Sequence, residues 1–228
     1  IRDVNRLAIP AMLAGIAEPL IGIADTAIVG HMPENSTEAL AGMGVAVGFF
    51  LFMFWVFVQV ETALSSLVAQ ALGNKTVDKL QSLFSQTTLL NLVIGVGLYF
   101  VTNACLSWIF DLYNAEGLQK AFAMEYYEIR SIGFPIVLVL WGIWGTFRGL
   151  QNTSWAMWIM LGGGAMNLLL DYALVYGVGD IIPSMGVSGA AWASVIAQIF
   201  MLLASVVVLF RKTPFRLNVW WPIHEKFV

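Results

Sequence analysis

The sequence predicts an all-α membrane protein built as a bundle of six transmembrane helices. Three observations predict it. Of the 228 residues, 59% are hydrophobic and 11% are charged, and the mean hydropathy is +0.81. A soluble domain carries about 25% charged residues, so this chain cannot cover a water-facing surface and takes lipid as its solvent. The apolar residues fall into six continuous runs, each near or above the ~20 residues that cross a bilayer. Short polar connections separate the runs, and no soluble domain is inserted between them.

The spans cover 7–30, 41–71, 84–110, 122–147, 155–176 and 189–210, within one transmembrane unit of residues 1–228. They read as helices because a lipid-exposed segment must satisfy its own backbone hydrogen bonds. A barrel would show alternating segments of about ten residues, and these runs are unbroken. Gly73-Asn74 closes the second span, Asp111, Asn114 and Gly117 mark the loop after the third, and Gly177, Gly179 and Pro183 the loop after the fifth. Trp108, Trp155, Tyr176, Trp220 and Trp221 fall near span ends, where interfacial aromatics gather.

Orientation follows from lysine and arginine. With the N-terminus inside, Arg2, Arg6, Lys75, Lys79, Arg148, Arg211, Lys212, Arg216 and Lys226 fall on or near the cytoplasmic side, against Lys120 and Arg130 on the other. That bias obeys the positive-inside rule, and an even number of spans returns the C-terminus to the cytoplasm. Pro10, Pro19, Pro135 and Gly162-Gly163-Gly164 lie within spans. Proline bends helices, and glycine lets membrane helices approach closely. The start at Ile1 and the end just beyond Trp220 and Trp221 lead to the expectation that the chain is part of something longer.

Composition also excludes functions. The net charge of −3 says nothing of partners, and no basic cluster interleaved with aromatics points to nucleic-acid binding. The single cysteine, Cys105, can form no intrachain disulfide. His31 and His224 have no convergent partners for a resident metal, and no organic cofactor is expected.

The informative residues are charged ones inside spans. Each costs at least ~2.5–3.5 kcal/mol at mid-membrane if left unpaired, so each faces a cavity, a partner or a proton. Asp25 lies near the outer end of the first span. Glu18, seven positions earlier, shares its face about 10 Å away along the axis. Asn167 and Asp171 stand at i, i+4 on the fifth span, on one face, at the depth of Asp25. Ser194 on the sixth span reaches the same level. Two carboxylates, an amide and a hydroxyl thus meet at one depth, with Arg130 the nearest base. Carboxylates crowded in low dielectric cannot both ionise cheaply, so the pair is a candidate proton acceptor. Sodium is the alternative ion at Asp25, Asn167 and Asp171, because these are hard oxygen ligands. The plainer reading is that Asp25 and Asp171 are separate and bond within their own helices. Glu61 and Gln59, toward the inner half of the second span, serve helix packing or, with Glu18, line a substrate cavity.

Several stretches carry a resemblance. Pro19-Leu20-Ile21-Gly22-Ile23-Ala24-Asp25-Thr26-Ala27-Ile28-Val29-Gly30-His31 resembles the first-span signature of the multidrug and toxic compound extrusion family, nearest its DNA-damage-inducible branch. Leu67-Val68-Ala69-Gln70-Ala71-Leu72-Gly73, Phe147-Arg148-Gly149-Leu150-Gln151-Asn152-Thr153, Asn167-Leu168-Leu169-Leu170-Asp171 and Met185-Gly186-Val187-Ser188-Gly189-Ala190-Ala191 resemble later family segments in the same order. The resemblance implies a fold of two six-helix lobes related by pseudo-symmetry, of which this chain is the amino-terminal one. It implies export of cationic or amphipathic organic compounds in exchange for protons or sodium, across the plasma membrane, in bacteria the inner one. It implies a cation site at Asp25, Asn167 and Asp171, joined by Ser194 where many relatives have Thr. Glu18 and Glu61 depart from the family pattern, and Asn152 stands where many relatives have Asp.

The function expected is therefore a secondary antiporter and not an enzyme. Its partners are a small-molecule substrate, the bilayer and a carboxy-terminal lobe. A flippase of lipid-linked precursors would show more basic residues along its cavity, and a channel or scaffold would need no ion gradient. Gly177-Val178-Gly179-Asp180 matches the Gly-x-Gly-Asp pattern of intramembrane aspartyl proteases, but Asp180 falls in a loop and no facing aspartate accompanies it. A serine protease would need a histidine inside the membrane, and none is there.

Overall fold

The computed structural model describes residues 2–74 and 77–213, apart from the side chains of 2–6, 14, 15, 17–19 and 77–79. Glu18, Pro19, Arg2, Arg6, Lys75, Lys79, Arg216, Trp220, Trp221, His224 and Lys226 lie outside the described residues, wholly or in their side chains. Eight helices form nearly all of the rest: α1 (Arg2–Gly30), α2 (Ser36–Gly73), α3 (Val77–Ala104), α4 (Leu106–Leu112), α5 (Gly117–Ser131), α6 (Gly133–Gly149), α7 (Ser154–Tyr176) and α8 (Gly186–Lys212). Among the described residues, α2, the Leu80–Ala104 part of α3, α7 and α8 are each long and apolar enough to cross a bilayer, and α5 with α6 makes a fifth, bent crossing. The 29-residue α1, apolar over Leu20–Gly30, completes the six-helix bundle.

Two spans differ from the sequence expectation. The fourth is not one helix over 122–147 but two, α5 and α6, meeting at Ile132 with a bend of 48°. Pro135 explains it. Proline offers no N–H to the carbonyl four residues back, and its ring clashes there, so the chain breaks just upstream. The third is not continuous over 84–110, because α3 ends at Ala104 and α4 restarts at Leu106. Thr102 Oγ1 donates to the Leu98 carbonyl at 2.7 Å and Asn103 Nδ2 to the Tyr99 carbonyl at 2.8 Å. Such back-bonding competes with the helical ladder immediately before the break.

Lipid tails are as apolar as leucine, so packing and interhelical hydrogen bonds hold membrane helices together. One apolar cluster gathers Phe49, Phe50, Phe110, Tyr127 and Phe134, with the Phe50 and Phe134 rings stacked at 4.5 Å. A second gathers Phe84, Leu140, Ile143, Phe147 and Leu209. Between helices, Asn91 Nδ2 donates to the Leu138 carbonyl at 2.9 Å and Trp144 Nε1 to Ser205 Oγ at 3.0 Å. Each such bond contributes about 0.6 kcal/mol in a membrane. α1 stands apart. It packs chiefly on α7 and leaves Ile16, Leu20 and Ile23 exposed.

Candidate cation and substrate site

α1 is stitched to α7 at both ends. Thr153 Oγ1 donates to the Leu7 carbonyl at 3.0 Å, and the Tyr176 hydroxyl donates to the Ile28 carbonyl at 2.6 Å. Between the stitches the helices touch closely, because a Cβ on Gly164 would fall 2.3 Å from Ile21 Cδ1. This is the packing role the glycine run at 162–164 suggested.

The close approach brings acids together. The Asp25 and Asp171 carboxyl groups meet at hydrogen-bonding range. Two carboxyl groups can hydrogen-bond only while one keeps a proton, since ionised carboxylates are acceptors alone. No other donor reaches Asp25 Oδ1 or either oxygen of Asp171. Asp171 is fully buried and Asn167 nearly so. The Asn167 amide nitrogen is likewise buried without a partner. The set offers oxygen ligands and a deficit of positive charge, which suits one proton or one small hard cation.

Asp25, Asn167 and Ser194 line a cavity of about 890 Å³, with Asp171 behind its wall. Phe50, Phe54, Trp55, Trp141 and Trp144 supply aromatic walls. Tyr126, Arg130 and Gln198 add polar groups. Sequence reasoning singled out neither Tyr126 nor Gln198. Each stands four residues from another lining residue, Tyr126 from Arg130 and Gln198 from Ser194, the same spacing that joins Asn167 to Asp171. Arg130 stands beside Tyr126 on the lining and places its guanidinium 4.7 Å from the centroid of the Phe50 ring.

Glu61 and Gln59 do not line this cavity. Gln59 is exposed on α2. Glu61 is buried and ion-paired with Arg148, Nη2 to Oε1 at 2.9 Å. The cavity-facing stripe of α2 runs through Met43, Val47, Phe50, Phe54 and Val58. Glu61 continues that stripe by one turn, past the end of the cavity, where α6 presents Arg148. His31 bonds the Ala27 carbonyl of its own helix through Nδ1.

The MatE family profile matches residues 10–173. The chain belongs to the MatE family. The DNA damage-inducible protein F of Escherichia coli is 29% identical over 89% of this MatE chain and 43% of its own length. The probable multidrug resistance protein NorM of Thermotoga maritima is 29% identical over 95% of the chain and 46% of its own. The outward-facing structure of a multidrug resistance MATE family transporter superposes with a TM-score of 0.85 at 24% identity, covering 96% of this chain and 47% of that one. The chain thus spans about half the length of the relatives it matches, and its fold is that of one lobe of a twelve-helix MATE-type transporter.

Proposed function

We propose that this chain is the amino-terminal lobe of a secondary antiporter that exports small amphipathic organic compounds in exchange for protons or sodium ions. The observation that carries the reading is the meeting of Asp25 and Asp171 from two helices, with no base within ion-pairing distance among the described residues, beside a cavity large enough for an organic molecule. Ligand pockets commonly measure about 300–1,000 Å³. The MatE membership and the likeness to a probable multidrug resistance protein favour efflux over the channel and flippase readings.

In this reading a cation enters among Asp25, Asn167 and Asp171 from outside. Its charge neutralises the acids where α1 and α7 meet, and so changes which helix packing is favoured. α1, held mainly by α7, repacks; the cavity changes shape and the compound leaves outward. Coupling of this kind requires that the ion and the compound prefer different helix packings. A second lobe supplies the other cavity wall and covers the exposed face of α1. The bundle lies in the plasma membrane, in bacteria the inner one, with both ends of the chain cytoplasmic.

The test is Asp25→Asn in the assembled transporter, reconstituted in vesicles under an imposed proton or sodium gradient. Gradient-driven efflux is expected to fall to the level of empty vesicles. Retained gradient-driven efflux rejects the coupling role of Asp25.

A further inference from the structure

Arg130 exerts its charge on the acid pair from a distance without pairing with either acid. It is the basic residue on the cavity lining, and arginine stays charged under all ordinary conditions. No carboxylate stands within ion-pairing distance of it among the described residues. Asp25 and Asp171 engage each other instead. One face of the guanidinium is covered by Phe50, an arrangement that holds the group in place while leaving its edge nitrogens available. Nη1 is buried and has no hydrogen-bond partner.

Gln198 Oε1, from α8, is also buried and unpartnered. The two orphaned atoms gather at one point. A Cβ added to Gly133 would lie 2.3 Å from Gln198 Oε1 and 3.0 Å from Arg130 Nη1. The missing side chain at Gly133, just past the α5–α6 bend, is what lets the two groups come together there. An amide has a donor end and an acceptor end of nearly equal shape. Turned by half a rotation, Gln198 would present Nε2 beside Nη1, giving two donors aimed at one acceptor group. Around them stand Phe50, Tyr126 and Trp141, suited to a flat apolar body.

From this we infer that Arg130 and Gln198 form an oxyanion subsite, and that the compounds this cavity takes are aromatic or amphipathic organic acids held by their carboxylate. The inference names the substrate class of the proposed antiporter and rests on the cavity being its substrate site. It departs from the expectation of cationic compounds. Cation loading of Asp25 and Asp171 does not repel such an anion, so its release follows from the repacking of α1 and not from charge.

Equilibrium binding to the purified, assembled transporter tests this without any gradient, so its outcome is independent of whether Asp25 couples transport. Three probes share one ring system: naphthoate, naphthylmethylammonium and naphthalenemethanol. Naphthoate is expected to bind tightest. Arg130→Gln is expected to weaken naphthoate by on the order of tenfold or more, the worth of a charge-assisted hydrogen bond, and to leave naphthalenemethanol within about twofold. Arg130→Lys keeps the charge without the planar fork, is the milder change for folding, and is expected to recover part of the naphthoate affinity. Gly133→Ala, which displaces the Gln198 amide and crowds Arg130 Nη1, is expected to weaken naphthoate selectively. Tighter binding of naphthylmethylammonium than naphthoate overturns the inference. So does an equal loss of all three probes in both Arg130 variants, which would make Arg130 a packing residue. Binding of dioctanoyl phosphatidate without binding of naphthoate overturns it too, by assigning the oxyanion site to lipid headgroups.

Discussion

Among the described residues two places bury acids, and they are solved in opposite ways. Glu61, 5% exposed on α2, has its own base in Arg148 of α6 at 2.9 Å. Asp171, fully buried on α7, faces another acid, Asp25 of α1, and its oxygens have no other donor. A buried acid with a partner base is electrically complete and ties two helices together. A buried acid whose neighbour is a second acid is incomplete until a positive ion arrives. The same residue chemistry thus serves as a clamp in one place and as a receptor in the other. The supporting helices differ accordingly. α6 packs against α2, α3 and α8, whereas α1 depends mainly on α7. One acid of the incomplete pair thus sits on a helix held mainly by a single neighbour.

The largest effect should come from completing the incomplete pair permanently. Asp171→Asn keeps shape and removes one acid. In the native protein a typical coupling free energy of 1–3 kcal/mol predicts that the coupling cation changes substrate affinity by roughly 5–150-fold. In Asp171→Asn that dependence should be flat, with the protein as stable as before or more so, since a costly buried charge is gone. Substrate titrations with and without the cation measure it. Cation dependence of native size in a folded Asp171→Asn protein would remove Asp171 from the receptor.

Breaking the clamp should act on stability and not on coupling. Arg148→Met removes the guanidinium that the buried Glu61 carboxylate meets across α2 and α6, and losing one partner of a buried polar pair costs about 1–3 kcal/mol. Glu61→Gln should cost less, because Arg148 is half exposed and recovers water. Thermal unfolding in detergent should therefore rank the native protein above Glu61→Gln and Glu61→Gln above Arg148→Met. The cation dependence of substrate binding should stay native in both. Lost coupling in either variant would merge the two regions into one network.

This contrast also separates what the sequence made legible. Asp25, Asn167, Asp171 and Ser194 were readable because their depths follow from span ends and their faces from helical spacing, both local quantities. The six-helix fold was readable because each apolar run declares its own length. The pairing of Glu61 with Arg148 was not readable. It depends on how α2 and α6 are rotated against each other, and the two residues are far apart in the chain. Nor was the gathering of Arg130 and Gln198. It depends on the bend at Ile132, and although Pro135 signals a bend, its direction is set by packing. Tyr126 was hidden for the same reason, on a helix whose axis the sequence treated as straight.

The smallest effect probes the edge of the receptor. Ser194 lines the cavity with Asp25 and Asn167, and its hydroxyl oxygen is the question. If that oxygen ligates the cation, Ser194→Ala removes one ligand and should weaken cation affinity by about two- to tenfold, the net worth of one polar contact. Ser194→Thr keeps the oxygen and adds a methyl group beside open cavity space, so its cation affinity should stay within about twofold of native. Competition between cation and substrate in equilibrium binding gives both numbers. Equal affinities in Ser194→Ala, Ser194→Thr and the native protein would confine the receptor to α1 and α7 and leave Ser194 as a wall of the cavity. The charge deficit would then belong to one helix pair alone, and α8 would meet the substrate through Gln198 without touching the ion.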